Sequence, residues 1–282
     1  MQMSRNELLQ QLCAQLQQTG MTRQEAMAEA RYALTFILDI SVSDLLLHGT
    51  DQVTETQEEQ LRQIVQKRAT GCPLAYILGE RYFMGMPFFV QPGVLIPRQE
   101  TELLCEQAAE VIRAQGLRSV LDLCTGSGCI AISLAKLTDA EVTALDISDT
   151  ALQTAGRNAE LLQAKEQLLH SDLFLNVDRK YDMITANPPY ITAAAYAQLE
   201  DSVRVYEPEL ALLGGDDGLD FYRRIAKEAP EYLNPGGYLV QEIGYDQGEA
   251  VRELLAAQGF VNIEIRRDYA GLDRMVWANL PL

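Results

Sequence analysis

Apolar side chains recur at helical spacing through the first seventy residues: Leu8, Leu9, Leu12, Cys13 and Leu16, then Ala26, Ala30, Leu34 and Ile37, then Leu61, Ile64 and Val65. Each stretch follows a side chain able to accept a hydrogen bond from the free backbone N–H groups of a first helical turn. Ser4 with Glu7 and Thr22 with Glu25 fit the reciprocal capping pattern, Ser41 precedes a third short helix, and Thr54 with Gln57 opens a fourth. Gly20, Gly49 and Gly71 stand where these helices should stop. The pattern predicts a small helical bundle over residues 1–72.

Between Arg81 and Pro97 the period changes. Tyr82 to Val90 is rich in aromatic residues, a Pro92-Gly93 turn follows, and Val94-Leu95-Ile96 resumes an apolar run, which predicts a β-hairpin within a connector over residues 73–97. A helix is expected from Thr101 to near Ala114. Apolar runs then alternate with helical stretches: Ser119–Leu123, Glu141–Asp146, Gln167–Leu169, Tyr181–Ala186 and Gly237–Ile243. Strands alternating with helices mean parallel α/β units in a doubly wound, mostly parallel sheet. Phe260–Ile265 and Arg274–Ala278 have only a short loop between them, which fits an antiparallel pair at the end of that sheet. Residues 98–282 are therefore expected to form one α/β domain.

Composition and charge narrow the function more than the fold. Of 282 residues, 48% are apolar and 22% charged, as in a globular protein with a sizeable core. The net charge of −17 comes without any Lys/Arg cluster, so a broad grip on nucleic-acid phosphates is not expected and a protein or small molecule is favoured as partner. No secretory signal and no stretch of ~20 apolar residues is legible, from which a cytoplasmic protein without membrane attachment is expected. Five cysteines without Cys-x-x-Cys spacing read as reduced core thiols, and the two histidines lie apart from any acidic or cysteine cluster, so no metal site is expected.

Two segments carry candidate chemistry. Val120 to Leu123 runs into the turn Cys124-Thr125-Gly126-Ser127-Gly128, and the following residues read as helix, so the backbone there can approach a ligand closely. The next strand ends in Asp146, twenty residues after Gly126, where an acid at a strand tip can hydrogen-bond the hydroxyls of a ribose. Ala131 stands three positions beyond Gly128, where a nicotinamide-binding fingerprint has Gly or Ala, so the turn alone leaves that cofactor open. The second segment follows the strand Tyr181–Ala186: Asn187-Pro188-Pro189-Tyr190. Successive prolines remove two backbone donors and leave rigid carbonyls that only accept. If the Asn187 side-chain oxygen and the Pro188 carbonyl each accept one N–H of a target –NH₂, they fix a planar nitrogen and stabilise the positive charge that develops as it attacks an electrophile. Pro189 completes the rigid pair and Tyr190 can pack on the flat face of the substrate. Taken alone, the loop serves an amide and an aromatic amine equally well.

In their order along the chain these residues resemble the protein N5-glutamine methyltransferases that modify peptide-chain release factors. The resemblance covers nearly the whole chain: the helical N-terminal region, Pro73-Leu74-Ala75-Tyr76-Ile77-Leu78-Gly79-Glu80 with Phe83 and Gly85, Ile96-Pro97-Arg98 with Thr101-Glu102, the glycine turn, Asp146, Asn187 to Tyr190, Glu207-Pro208 with Ala211-Leu212, and Gly214-Gly215 with Gly218-Leu219. It implies the seven-stranded class I methyltransferase sheet. It also implies S-adenosylmethionine as cofactor, bound by Cys124 to Gly128 and Asp146, with Asp172 and Leu173 beside the adenine and Asn187 between cofactor and substrate. Arg98, Thr101, Glu102 and Glu207 are marked by it as supporting residues. The implied substrate is the glutamine of a release factor's Gly-Gly-Gln loop, with the N-terminal region and connector holding the release factor. The chain departs from the family pattern at Leu173, where a large aromatic is frequent, and at Gln99, where a proline is frequent.

Two further readings stay in view: an adenine-N6 nucleic-acid methyltransferase, which shares Asn-Pro-Pro-Tyr, and an inactive S-adenosylmethionine-binding module of the same fold. The first would need a basic surface and an added recognition domain. The second would be expected to have lost Asn187 or Asp146, and both are present.

Overall fold

Four helices form where the capping residues place them: α1 (Arg5–Gln17), α2 (Arg23–Leu38), α3 (Val42–Leu47) and α4 (Glu55–Ala69). All four open on a complete capping box, so that Thr22, for example, accepts from the Glu25 backbone while its own N–H donates to the Glu25 carboxylate at 2.9 Å. A fifth, α5 (Leu74–Leu78), follows Pro73, and Leu74 joins the bundle core with Leu8, Leu34 and Leu61. The structure, a computed structural model, describes residues 3–282, and it divides into two compact units after Gly79. The helical unit thus runs past residue 72, because the start of the expected connector is helical and buries its apolar side chains in that bundle.

The second unit opens on a hairpin, β1 (Glu80–Phe83) and β2 (Met86–Phe89), with Phe83 paired opposite Met86. Its turn is Met84-Gly85, at φ 50° and 71°, the two-residue form with both central residues left-handed that suits the twist of paired strands. This corrects the expected hairpin about Pro92-Gly93. That dipeptide does turn the chain, but Val94 to Ile96 pairs with no strand; the Ile96 N–H instead donates to the Glu207 carboxylate at 3.1 Å.

After α6 (Glu100–Gln115) come β3 (Ser119–Leu123), α7 (Cys129–Leu137), β4 (Glu141–Asp146), α8 (Asp149–Leu162), β5 (Glu166–His170) and β6 (Tyr181–Ala186). Two four-residue helices, α9 (Ala193–Tyr196) and α10 (Asp201–Arg204), and a 3₁₀ turn at Glu209–Ala211 lie in the excursion before α11 (Asp220–Tyr232). Such short pieces carry no period to be read from sequence. The chain closes with β7 (Leu233–Glu242), α12 (Gly248–Ala257), β8 (Val261–Arg267) and β9 (Asp273–Asn279).

The seven strands run in the order β5-β4-β3-β6-β7-β9-β8, parallel except that β9 is antiparallel to both β7 and β8. The expected doubly wound sheet with its terminal antiparallel pair is present. Successive residues point to opposite faces, which explains why these strands are apolar throughout: Val120, Met183 and Val240 pack under α6 and α7, and Leu121, Ile184 and Leu239 under α11 and α12. Strand order reverses between β3 and β6, and the chain leaves both strands on the same edge; a crevice at such a point is where open α/β sheets bind ligands. Among the described residues no helix is long and apolar enough to cross a membrane.

Candidate functional site

At the carboxyl end of β3 the chain turns through Cys124, at φ 56°, and Gly126, at φ 57°, into α7. Asp146, at the tip of β4, holds that turn: one carboxylate oxygen accepts the Gly126 N–H and the other the Ser148 N–H, both at 2.9 Å. Burial raises the Asp146 pKa, and these backbone donors oppose the shift. Asn158 on α8 ties the turn to the hairpin, accepting from Phe89 N at 2.7 Å and donating to the Ser127 carbonyl at 2.9 Å.

Asp122 lies beneath the turn, fully buried, and accepts hydroxyl hydrogen bonds from Thr125 at 2.6 Å and Thr185 at 2.7 Å. It therefore links the glycine turn to the strand that delivers Asn187. Burial pushes its pKa up to about 7, against the pull of the two hydroxyls. Because the folded value exceeds the unfolded one, the neutral acid's stabilisation is complete below about pH 4 and is lost as pH rises through about 7. The unfolding free energy of wild type relative to Asp122→Asn, measured in urea, should fall by ~2–4 kcal/mol between about pH 4.5 and 8. A pH-independent difference would mean that the carboxyl is ionised throughout.

These groups open onto a pocket enclosing about 930 Å³ of empty space, its mouth included. Its lining includes Cys124, Thr125, Gly126 and Ser127 with Asp146, Asp172 and Leu173, and also Asn187 and Pro189 with Arg98 and Thr101. Apolar surface comes from Leu95, Ile130, Leu210 and Phe221. Asp172 is paired with Arg224 at 2.9 Å, and Leu173 is buried at φ 49°, its carbonyl accepting from Ser171 Oγ. The two cysteines of the turn region are not reactive thiolates, since burial pushes Cys124 well up and Cys129 to about 12.

The loop after β6 is anchored by a chain of hydrogen bonds. Asn187 Nδ2 donates to Thr101 Oγ1 at 3.4 Å, and Thr101 Oγ1 donates to Glu242 Oε2 at 2.6 Å. Tyr190 reaches the other oxygen of Glu242, its hydroxyl 3.5 Å from Oε1. From behind, Gln247 donates to the carbonyls of Tyr190 and Gly218, and Ile191 exchanges backbone hydrogen bonds with Leu212 and Gly214. A Cβ on Gly214 would lie 2.7 Å from the Pro189 carbonyl oxygen, and one on Gly218 2.4 Å from that of Tyr190. The glycines of that segment let its backbone lie directly against the loop.

The residues singled out in the sequence therefore divide. Gly128, which precedes α7, does not line the pocket, and neither do Pro188 and Tyr190. Glu207 lies under the wall, joined to Arg98 and to the Ile96 N–H. Glu102 is turned away to the hairpin, where it accepts the Met84 N–H at 2.7 Å. Glu242, Asp122 and Gln247 were not singled out. The one signal for Glu242 is an acid that follows the apolar run Tyr238-Leu239-Val240 and Gln241 at the tip of a central strand.

Chemically, one crevice holds a carboxylate, a sharp turn and an asparagine whose nitrogen is committed to Thr101, leaving its oxygen free as an acceptor. Residues 7–79 match the family described as PrmC N-terminal domain, and residues 99–203 the one described as Methyltransferase small domain. A release factor glutamine methyltransferase of Geobacter sulfurreducens is 42% identical over 255 residues, covering 90% of this chain and 89% of its own. One of Bordetella pertussis is 44% identical over 250 residues, covering 88% of this chain and 92% of its own. A methyltransferase structure from Pyrococcus furiosus, 17% identical, shares the fold with a TM-score of 0.53 over 78% of this chain and 98% of its own.

Proposed function

Because the chain belongs to the release factor glutamine methyltransferases, enzymes that methylate a protein glutamine, we propose that its crevice binds S-adenosylmethionine and methylates the side-chain amide nitrogen, N5, of the glutamine in a release factor's Gly-Gly-Gln motif. The observation that carries this reading is the orientation of Asn187: with Nδ2 held by Thr101, Oδ1 remains as an acceptor in the same crevice as Asp146. The lining suits the cofactor. An ionised carboxylate has about four acceptor positions. With two used by Gly126 and Ser148, Asp146 keeps capacity for ribose hydroxyls. A Cβ built at Gly126 would meet nothing within 4 Å, so the turn offers an open cradle. Ser127, Asp172 and Leu173 complete the wall for the nucleoside, with an aliphatic rather than an aromatic surface at Leu173.

When bound, S-adenosylmethionine supplies an electrophilic methyl group on a sulfonium. Asn187 Oδ1 and the carbonyl of Pro188, a residue outside the pocket lining but flanked in the chain by the lining residues Asn187 and Pro189, each accept one N–H of the glutamine amide, fixing a nitrogen whose lone pair is otherwise delocalised into its carbonyl. Both acceptors gain strength as positive charge accumulates on nitrogen, so they stabilise the transition state more than the bound amide. No strong base is required ahead of attack, since the amide proton becomes acidic only as the N–C bond forms. Arg98 and Glu207 hold the segment Val94 to Pro97 as a wall, and Tyr190, clamped by Glu242, gives the loop a rigid aromatic end. The N-terminal helical unit is assigned the holding of the release factor, in keeping with its match to the family's N-terminal domain.

Incubation with methyl-labelled S-adenosylmethionine and a release factor, followed by peptide mass spectrometry, should place one methyl group on the glutamine of the Gly-Gly-Gln peptide. Label on nucleic acid, or none on that peptide, would remove the reading.

A further inference from the structure

The hydrogen-bond chain behind Asn187 has a direction, and its direction is set by a group that touches no substrate. Thr101 and Glu242 are 1% and 2% exposed, so no solvent stands in for either partner. We infer that Glu242 is a positioning residue for methyl transfer, acting through Thr101 to hold the Asn187 amide with its oxygen turned to the substrate. The inference rests on the substrate reading above.

An ionised carboxylate only accepts, so Thr101 must give its single hydroxyl proton to Glu242 and can only accept from Asn187. Asn187 is thereby required to turn its –NH₂ toward Thr101. Were Glu242 to carry a proton, it could donate to Thr101, the Thr101 hydroxyl could then donate to Asn187 Oδ1, and the amide would reverse. A reversed Asn187 faces the substrate –NH₂ with its own –NH₂, donor against donor. Tyr190 reads the same carboxylate through Oε1, so both ends of the Asn187–Tyr190 loop depend on it.

The surroundings place this switch near neutrality. Burial raises Glu242 to about 6, opposed by the Thr101 hydrogen bond and by Arg274 on β9, assisted by Glu100 on α6, and opposed again by Tyr190. Cys105 on α6, Cys129 on α7 and Tyr222 on α11 also face it, each itself pushed upward by burial and so neutral across this range; the Tyr222 hydroxyl donates to the Glu242 backbone carbonyl at 2.8 Å.

The test compares Glu242→Gln, Thr101→Val and Thr101→Ser with wild type for kcat and for KM of release factor and cofactor, from about pH 5 to 8. Wild-type kcat should rise with pH around a midpoint near 6. E242Q and T101V should each lose ~10-fold or more in kcat with KM changed by less than about twofold, and E242Q should lose the limb near pH 6. The double variant should be no slower than the slower single one, because both cut one chain. T101S, which keeps the hydroxyl, should recover the rate that T101V loses. An E242Q enzyme with the wild-type kcat and pH limb would overturn the inference; should E242Q not fold, equal rates for T101V and T101S would overturn it instead. A wild type that leaves the glutamine unmodified would overturn the substrate reading and this inference together, whereas unaffected variants of an active wild type overturn this inference alone.

Discussion

Asn187→Ala is expected to lower turnover by ~10²-fold or more while leaving cofactor affinity within a few-fold of wild type. On the proposed reading the side chain supplies one of two acceptors for the substrate –NH₂, and its amide oxygen has no ready substitute: the Thr101 hydroxyl donates to Glu242, and the prolines that follow bring no side-chain acceptor. The proposed cofactor wall is built from other residues, Cys124 to Ser127 and Asp146, and the hydrogen bonds that hold it do not involve Asn187. Folding should be nearly untouched, because among the described residues the half-buried Asn187 side chain makes only the long hydrogen bond to Thr101. Methyl incorporation measured with calorimetric cofactor titration separates the two effects. Near-normal turnover would show that the loop merely shapes the crevice.

Gly218→Ala should act through the backbone and so should impair both turnover and stability. Gly218 sits at φ 75°, where an added Cβ would lie 2.4 Å from the Tyr190 carbonyl oxygen and 2.7 Å from Gln247 Nε2. The left-handed conformation alone costs a non-glycine residue about 1–2 kcal/mol. The clash adds to this, since the facing atoms are backbone or a glutamine already bonded to Tyr190 O, Gly218 O and Gly244 N. A destabilisation of ~2–4 kcal/mol is expected, seen as a fall in Tm of roughly 5–10 °C. Relief requires the Asn187–Tyr190 loop to move, and a shift of about 1 Å there should cost turnover ~10²-fold. The two substitutions are thus told apart by Tm. A Gly218→Ala enzyme with wild-type Tm and turnover would show that the glycine segment does not brace the loop.

Much of the architecture was legible because its causes are local. A Ser or Thr three residues ahead of Glu, Asp or Gln satisfies first-turn N–H groups whatever the rest of the chain does, and each of the four capping boxes begins a helix. Strands buried on both faces read as apolar runs for the same reason. The hairpin turn falls elsewhere than its residues suggest, because Pro-Gly is the stronger turn signal in general. Here Met84-Gly85 adopts the left-handed pair that fits the strand twist, and Ile96, past the Pro92-Gly93 turn, gives its N–H to Glu207.

The sequence by itself determined the helical bundle and the alternation of strand and helix, and it marked out the two segments, Cys124 to Gly128 and Asn187 to Tyr190, on which the proposed chemistry rests. Only the tertiary structure decided which supporting residues serve that chemistry. It turned Glu102 away to Met84, brought Glu207 under Arg98, and joined Thr101 to Glu242 across a separation of 141 residues. Periodicity reports which face of an element is buried, but not which strand lies next to which. That neighbour relation follows from the strand order β3-β6-β7 and the packing of α6 on it, and it alone directs the Asn187 amide.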